Sequence, residues 1–342
     1  MKSLTLLAAA ALLALTPTSQ AGPSQLQLPT ANDAIFSSNP EDFYMYCDRS
    51  FEGVQSKPWT AGKYGFVRNM RRTAEGVIGT RFHEGIDIKP LKRDSNGVPL
   101  DIIHPIDSGK VVHVNAVSSR SNYGKYIVVE HRWPSGTYYS LYAHLNRIDC
   151  QVGQKVDHKS SLGTLGYTGV GINKTRAHLH LELCVMSSPR FETWYGRHYT
   201  SPNHHSIYSG LNLVGMDIAE LYKLQRKHSQ ISIPDLVSRE TIYYKITVPR
   251  KGQLDIVKRY PWLVRGNHRS ASASWEISFT DSGFPLAVEP SSKKVGGPVV
   301  SYVRPSKTHH SYQTKKYLSG SGSSASVSSS GSRYIQLITG AF

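Results

Sequence analysis

Two imidazoles stand two positions apart in AHLHLELC, from Ala177 to Cys184. Ala177, Leu179, Leu181 and Leu183 fall on one parity; His178, His180, Glu182 and Cys184 fall on the other. Side chains of a β-strand alternate between faces, so both histidines project together while the leucines pack inward. A second stretch, RFHEGIDI from Arg81 to Ile88, splits in the same way, with Ile86 and Ile88 opposite His83, Gly85 and Asp87. An imidazole and a carboxylate four apart converge on a shared point if the strand bends, which the glycine between them permits. In SLYAHL, Tyr138, Ser140, Tyr142 and His144 share a parity opposite Tyr139, Leu141, Ala143 and Leu145. That pattern places His144 on the polar face of a strand whose other side is packed. Singly, each motif also suits a solvated strand face. Together they supply a mixed nitrogen and oxygen ligand set suited to zinc. Cys184 lies roughly 13 Å from His180 along the strand and cannot share its ion, whereas Glu182, roughly 7 Å away, is placed as a neighbouring support.

These residues must be positioned by a chain of 342 residues, long enough for two domains. The apolar fraction of 39% can build a core, and 20 tyrosines favour a β-rich globular protein. Lys2, the apolar run from Leu6 to Leu15 and the ending Ser19-Gln20-Ala21 read as a secretory signal peptide cut after Ala21. No later stretch is long and apolar enough to span a bilayer, so the mature chain is expected outside the cytoplasm, periplasmic or extracellular. Cys47, Cys150 and Cys184 fit an oxidising compartment, with room for one disulfide and one spare thiol in any of three pairings. No C-x-x-C spacing offers a cysteine zinc site. The formal charge of +16 draws the protein to polyanions such as wall polymers or acidic peptides. The basic residues are scattered, and no nucleic-acid-binding signature is present, so nucleic acid is not the expected partner.

Five segments follow: a signal peptide (1–21), an N-terminal segment (22–61), a β-domain carrying the motifs (62–200), a helical linker (201–239) and a C-terminal β-rich domain (240–342). Strands are expected at Val111–Val117, Lys125–His131 and Thr137–Leu145, the last two joined through a turn at Pro134-Ser135-Gly136. Asp217 should cap a helix running to His228, with Ile218, Leu221, Tyr222 and Gln225 on one side. The Ser/Gly tract from Ser319 to Ser332 reads as a flexible loop, and Arg333–Phe342 as strand.

In chain order, GTRFHEGIDI, YSLYAHL and GYTGVGINKTRAHLHLEL resemble the lysostaphin-type zinc metallopeptidases across 62–186, with DSGKVVHV, NYGKYIVVEH and VGQKV between them. The resemblance implies a mainly β fold: a central antiparallel sheet of the duplicated hybrid motif type with a metal groove across one face. It implies His83, Asp87 and His180 as ligands of one Zn2+ per chain, and His144 and His178 as catalytic histidines that do not bind the metal. Which of the two is the base stays open. Arg81, Tyr123, Tyr142 and Arg176 are the expected groove residues. The implied activity is hydrolysis of peptide bonds in bacterial peptidoglycan, with peptidoglycan or another wall polymer as partner. The alternative is a catalytically silent wall-binding or hydrolase-activating module on the same scaffold; members of that kind have lost ligands or catalytic histidines, and none is missing here. Two segments depart from the family pattern, Ile88–Pro105 and Val170–Arg176, and both are expected to form groove walls. His204 and His205 follow on a loop that can reach the groove.

Overall fold

A computed structural model describes residue 23, residues 25–267 and residues 271–342. The expected signal peptide lies outside the described residues. The strands that matter here are β1 (Gly65–Thr73), β2 (Gly76–His83), β3 (Ile86–Ile88), β4 (Gly109–Asn115), β5 (Tyr126–Trp133), β6 (Gly136–Ala143), β7 (Lys155–Val156), β8 (Leu179–Met186) and β9 (Leu213–Met216). β7, β4, β5, β6, β8 and β9 lie in that order in one antiparallel sheet, and β3 pairs with the start of β8. The chain is therefore mainly β and antiparallel. β1 and β2 form a separate hairpin that runs into β3.

Both faces of the sheet are packed. Leu179, Leu181 and Leu183 are fully buried with Ile86, Ile88, Tyr138 and Tyr142 on one face. Tyr126, Val128, Tyr139, Leu141, Ala143 and Cys184 form a smaller apolar cluster on the other. Because His180 pairs with Ala143, Glu182 with Leu141 and Cys184 with Tyr139, the odd positions of β6 share the face of the paired histidines. The parity expected to be polar is the inner one: Tyr138, Ser140 and Tyr142 all lie in the core. Alternation could not tell the two faces apart, since aromatic residues occupy both.

The helix expected after Asp217 is present as Ile218–Lys227. The Asp217 carboxylate caps it by accepting from the Glu220 N–H at 3.1 Å, and Ile218, Leu221, Tyr222 and Gln225 are buried. A helix at Phe191–His198 lies where the sequence shows fading periodicity. Residues 319–332 are not a plain loop. Ser328 caps a helix over Ser329–Thr339, and Leu318–Ser319 pairs with Ser326–Val327. The strand expected at 333–342 is thus helical, because Tyr334, Ile335, Leu337 and Ile338 repeat at three- and four-residue steps. One apolar cluster runs from Leu26 through the sheet and the Ile218–Lys227 helix to Ile338, so all four expected segments beyond the leader contribute to a shared core. Cys47, Cys150 and Cys184 are all unpaired, and no disulfide forms among them. No helix among the described residues is long and apolar enough to cross a membrane.

The C-terminal region grips the β1–β2 hairpin along its length. At the hairpin turn, the Glu75 carboxylate accepts from the Ser306 hydroxyl at 2.7 Å and from the N–H groups of Lys307 and Thr308 at 3.0 and 2.9 Å. Arg71 lies over the Tyr312 ring at 4.4 Å, and Lys315 pairs with Glu84 at 2.9 Å just past β2. The Ser306 hydroxyl and the backbone donors hold the Glu75 carboxyl at about 2, below its ordinary 4.5. A depressed carboxyl stabilises the contact fully above its ordinary value, and that contribution is lost as pH falls through the depressed one. Glu75→Ala should speed amide hydrogen exchange across residues 65–83 several-fold at pH 7. The difference from wild type should shrink as pH is lowered from 4.5 toward 2; equal exchange at pH 7 would refute the clamp.

Candidate metal centre

The centre is assembled where β3 meets β8. Asp87 and His180 are direct cross-strand partners, so carboxylate and imidazole face each other across one ladder position. His83 ends β2 on the same side, two residues before a close backbone approach: a Cβ on Gly85 would lie 2.2 Å from the Leu181 carbonyl oxygen. The glycine is thus required for β3 to reach β8. His83 Nε2 lies 3.0 Å from His180 Nδ1 and 3.1 Å from Asp87 Oδ1, and His180 Nδ1 lies 2.9 Å from that same oxygen. Among the described residues, His83, Asp87 and His180 form one group whose donor atoms all fall within 4.8 Å of one another, and all three are buried.

Ring partners set which nitrogen is available. His83 donates from Nδ1 to the Lys63 carbonyl at 2.8 Å, leaving the Nε2 lone pair facing the centre. His180 donates from Nε2 to Glu182 Oε1 at 2.8 Å, which turns Nδ1 inward. Glu182, almost fully buried, also accepts from the Tyr123 hydroxyl at 2.8 Å and the Cys184 thiol at 3.3 Å. Such a carboxylate behind a histidine is the usual support of a metal ligand. The donor set and its outward hydrogen bonds therefore fit a divalent ion such as zinc.

Charge is concentrated here. Burial pushes the Asp87 carboxyl up, but His83, His178 and Arg68 outweigh it and hold the group well below its ordinary range. Burial opposes charge on His180, yet its hydrogen bonds to Asp87 and Glu182 prevail and raise it to about 9. Arg68, from the bulged part of β1, donates to Asp87 Oδ2 and to His83 Nε2, the latter at 3.2 Å. No motif in the sequence marks Arg68; an irregular hairpin register brings it over the donors.

His178 and His144 flank the group. His178 donates from Nδ1 to the Arg176 carbonyl at 2.6 Å, and its Nε2 lies 3.5 Å from Asp87 Oδ1. His144 donates from Nδ1 to the Thr168 carbonyl at 2.8 Å, and its ring centroid is 4.8 Å from that of His178 and 5.8 Å from that of His180. Regular alternation after Ala143 would aim His144 at the face of Leu179. Its φ of +63° reverses the side chain onto the centre instead. A left-handed backbone is uncommon for a residue with a Cβ and is a form of strain that concentrates at functional sites. Burial, with the neighbouring imidazoles of His178 and His180, keeps His144 neutral well below the ordinary imidazole range.

All five residues line one cleft of about 940 Å³ together with Arg68, Arg81, Tyr123, Arg176 and His205. Of the four expected groove residues, Arg81, Tyr123 and Arg176 are in place. Tyr142 is corrected: it lies under the sheet, fully buried, accepting from the Ile106 N–H at 2.8 Å and the Ser140 hydroxyl at 2.9 Å. Of the two expected walls, Val170, Gly171, Ile172 and Arg176 line the cleft. Ile88–Pro105 instead buttresses that wall from behind, through Arg93 donating to the Lys174 carbonyl at 2.8 Å and Lys174 to the Asn96 carbonyl at 2.8 Å.

Residues 81–190 match peptidase family M23. Among curated proteins, the chain is 39% identical over 66 residues to the peptidoglycan DD-endopeptidase ShyA of Vibrio cholerae, covering 19% of this chain and 14% of that protein. The chain thus spans about one-seventh of that relative's length. Solved structures that overlap it include the catalytic domain of the antimicrobial peptidase lysostaphin from Staphylococcus simulans, at 23% identity over 35% of this chain and 75% of that one, with a TM-score of 0.25. A zinc-containing peptidase from Vibrio cholerae overlaps at 23% identity over 39% of this chain and 41% of that one, with a TM-score of 0.24.

The packing at Gly85 gives a direct check. Gly85→Ala forces its methyl into the Leu181 carbonyl and should cost about 1–3 kcal/mol of stability. A urea midpoint unchanged from wild type would show that β3 and β8 need no such approach.

Proposed function

We propose, from the match of residues 81–190 to peptidase family M23, that this chain is an exported, zinc-dependent endopeptidase that hydrolyses peptide bonds of bacterial peptidoglycan. The observation that carries the reading is the convergence of His83, Asp87 and His180 within 4.8 Å, beside two further histidines whose Nε2 atoms are left to accept protons. The curated relative is a peptidoglycan endopeptidase by name, which supports the substrate class.

His83 Nε2, Asp87 Oδ1 and His180 Nδ1 would hold the ion, and three protein ligands are the usual number where zinc acts catalytically. A zinc ion held there would supply Lewis acidity for a scissile carbonyl and would lower the pKa of water toward neutrality. The protein provides the proton path. His144, held neutral by burial, and His178, fixed by the Arg176 carbonyl, together take the proton from the attacking water and return it to the leaving amine. Their fixed Nδ1–H bonds lock both rings in the tautomer that accepts at Nε2. Glu182 keeps His180 aimed inward, and Tyr123 and Cys184 keep Glu182 in place. A silent wall-binding module would dispense with this machinery; here each of the five side chains is present and oriented by its own hydrogen bonds.

Purified full-length protein should contain about one zinc per chain, and His83→Ala should lose it. Metal-loaded protein should release peptides from murein. His144→Ala and His178→Ala should retain zinc while slowing release by about 10²–10⁴-fold. Glu182→Gln should weaken zinc binding by about 10–100-fold. Loaded protein that releases nothing, or histidine variants as active as wild type, would end the enzymatic reading.

A further inference from the structure

The metal cleft opens into a second cleft of about 490 Å³. The two share Arg68, Arg81, Val170, Gly171, Ile172 and Arg176, so the neck between them is lined by three guanidinium groups and two aliphatic side chains. Arg68 and Arg81 are direct cross-strand partners in the β1–β2 hairpin. Like charges at such a position destabilise a hairpin unless something neutralises them. Arg68 is neutralised, since Asp87 accepts from it. Arg176 is anchored to the wall by the Tyr46 carbonyl at 3.3 Å and faces Asp48 at 3.8 Å. Arg81 makes no ion pair and no side-chain hydrogen bond among the described residues, and it is exposed to the cleft.

The carboxylates of the two clefts cannot serve it, because each has another partner. Glu84 is held by Lys315, Glu182 by His180 and Tyr123, Asp87 by the centre, and Asp48 faces Arg176. Arg81 thus stands as an uncompensated cation at a concave neck beside two further guanidinium groups, a concentration of positive charge that draws incoming anions. Arginine is also the side chain whose fork matches a carboxylate in two parallel hydrogen bonds. Its place is set by the strand: Arg81 and His83 occupy alternate positions of β2, on one face and roughly 7 Å apart.

We propose that Arg81 is the specificity residue of a carboxylate subsite at this neck. The preferred substrate is a peptide with a free carboxylate within about two residues of the scissile bond, the span that 7 Å of extended chain covers. The inference rests on the peptidase reading and names which peptides that same site selects. Val170, largely exposed, and Ile172, half-buried, flank the subsite with apolar surface on one side.

The test uses the full-length, zinc-loaded protein and two probes: a fluorescent cross-linked murein stem peptide with its carboxyl groups free, and the same peptide with them converted to carboxamides. Wild type should cleave the acid with about tenfold higher kcat/KM, through KM rather than kcat. Arg81→Gln should bring the ratio close to one, and Arg81→Lys should restore part of it. A wild type that treats both probes alike, or an Arg81→Gln protein that keeps the preference, overturns the subsite and leaves the peptidase reading intact. Binding of the same probes to His144→Ala, read by fluorescence anisotropy, tests the preference without turnover. Tighter binding of the acid that disappears in His144→Ala/Arg81→Gln supports the subsite. Equal binding of acid and amide overturns it even if no cleavage is ever seen.

Discussion

The short contact between β3 and β8 governs the rest of the site. Three residues of β3 must lie against the leucine-floored start of β8 for Asp87 to face His180 across the ladder. That contact is possible because position 85 carries no side chain where the Leu181 carbonyl passes. Ile86 and Ile88 bury the inner side of the same three residues, so the apolar core drives the pairing while the polar side brings Asp87 to His180. The hydrophobic effect thereby does the work of bringing a carboxylate and two imidazoles into a buried cluster that their desolvation alone would oppose.

A cluster of that kind holds together only if every polar atom has a partner. Asp87 supplies the negative charge at the centre, and Glu182 supplies a second one just behind it. Between them His180 is held at both nitrogens by carboxylates, whereas His83, His144 and His178 are each anchored at Nδ1 by a backbone carbonyl. The distinction separates inward-facing nitrogens from outward-facing ones without any change in residue type. Tyr123 joins the two shells, since its hydroxyl supports Glu182 and its ring lies 5.7 Å from that of His180.

The hairpin formed by β1 and β2 ties the centre to the C-terminal region. It contributes His83 and Arg68 to the centre and Arg81 to the cleft, and it is held at its turn by 306–308 and at its base by Lys315. The shared apolar core, running from Leu26 to Ile338, makes this grip part of the fold rather than a loose contact between separate bodies. One wall of the cleft is therefore fixed by residues more than two hundred positions away in sequence.

The alternating patterns in Ala177–Cys184 and Arg81–Ile88 were enough to place His178, His180, His83 and Asp87 on polar faces, because strand geometry alone dictates that parity. The Asp217 cap and its helix were equally legible, since both signals are local. Alternation failed in β6, where aromatic residues fill both faces and pattern cannot say which faces the centre; Tyr142 was misplaced for that reason. His144 arrives only through a left-handed backbone that no residue type announces. The helix at 329–339 was hidden in a Ser/Gly tract whose capping serine and close-packed Gly331, 2.2 Å from the Tyr317 carbonyl for any added Cβ, gain meaning only beside their neighbours. Sequence determined the chemistry available and the strands that carry it, which are local properties of spacing and type. Tertiary structure decided which of those side chains meet, through long-range strand pairing and close backbone approach.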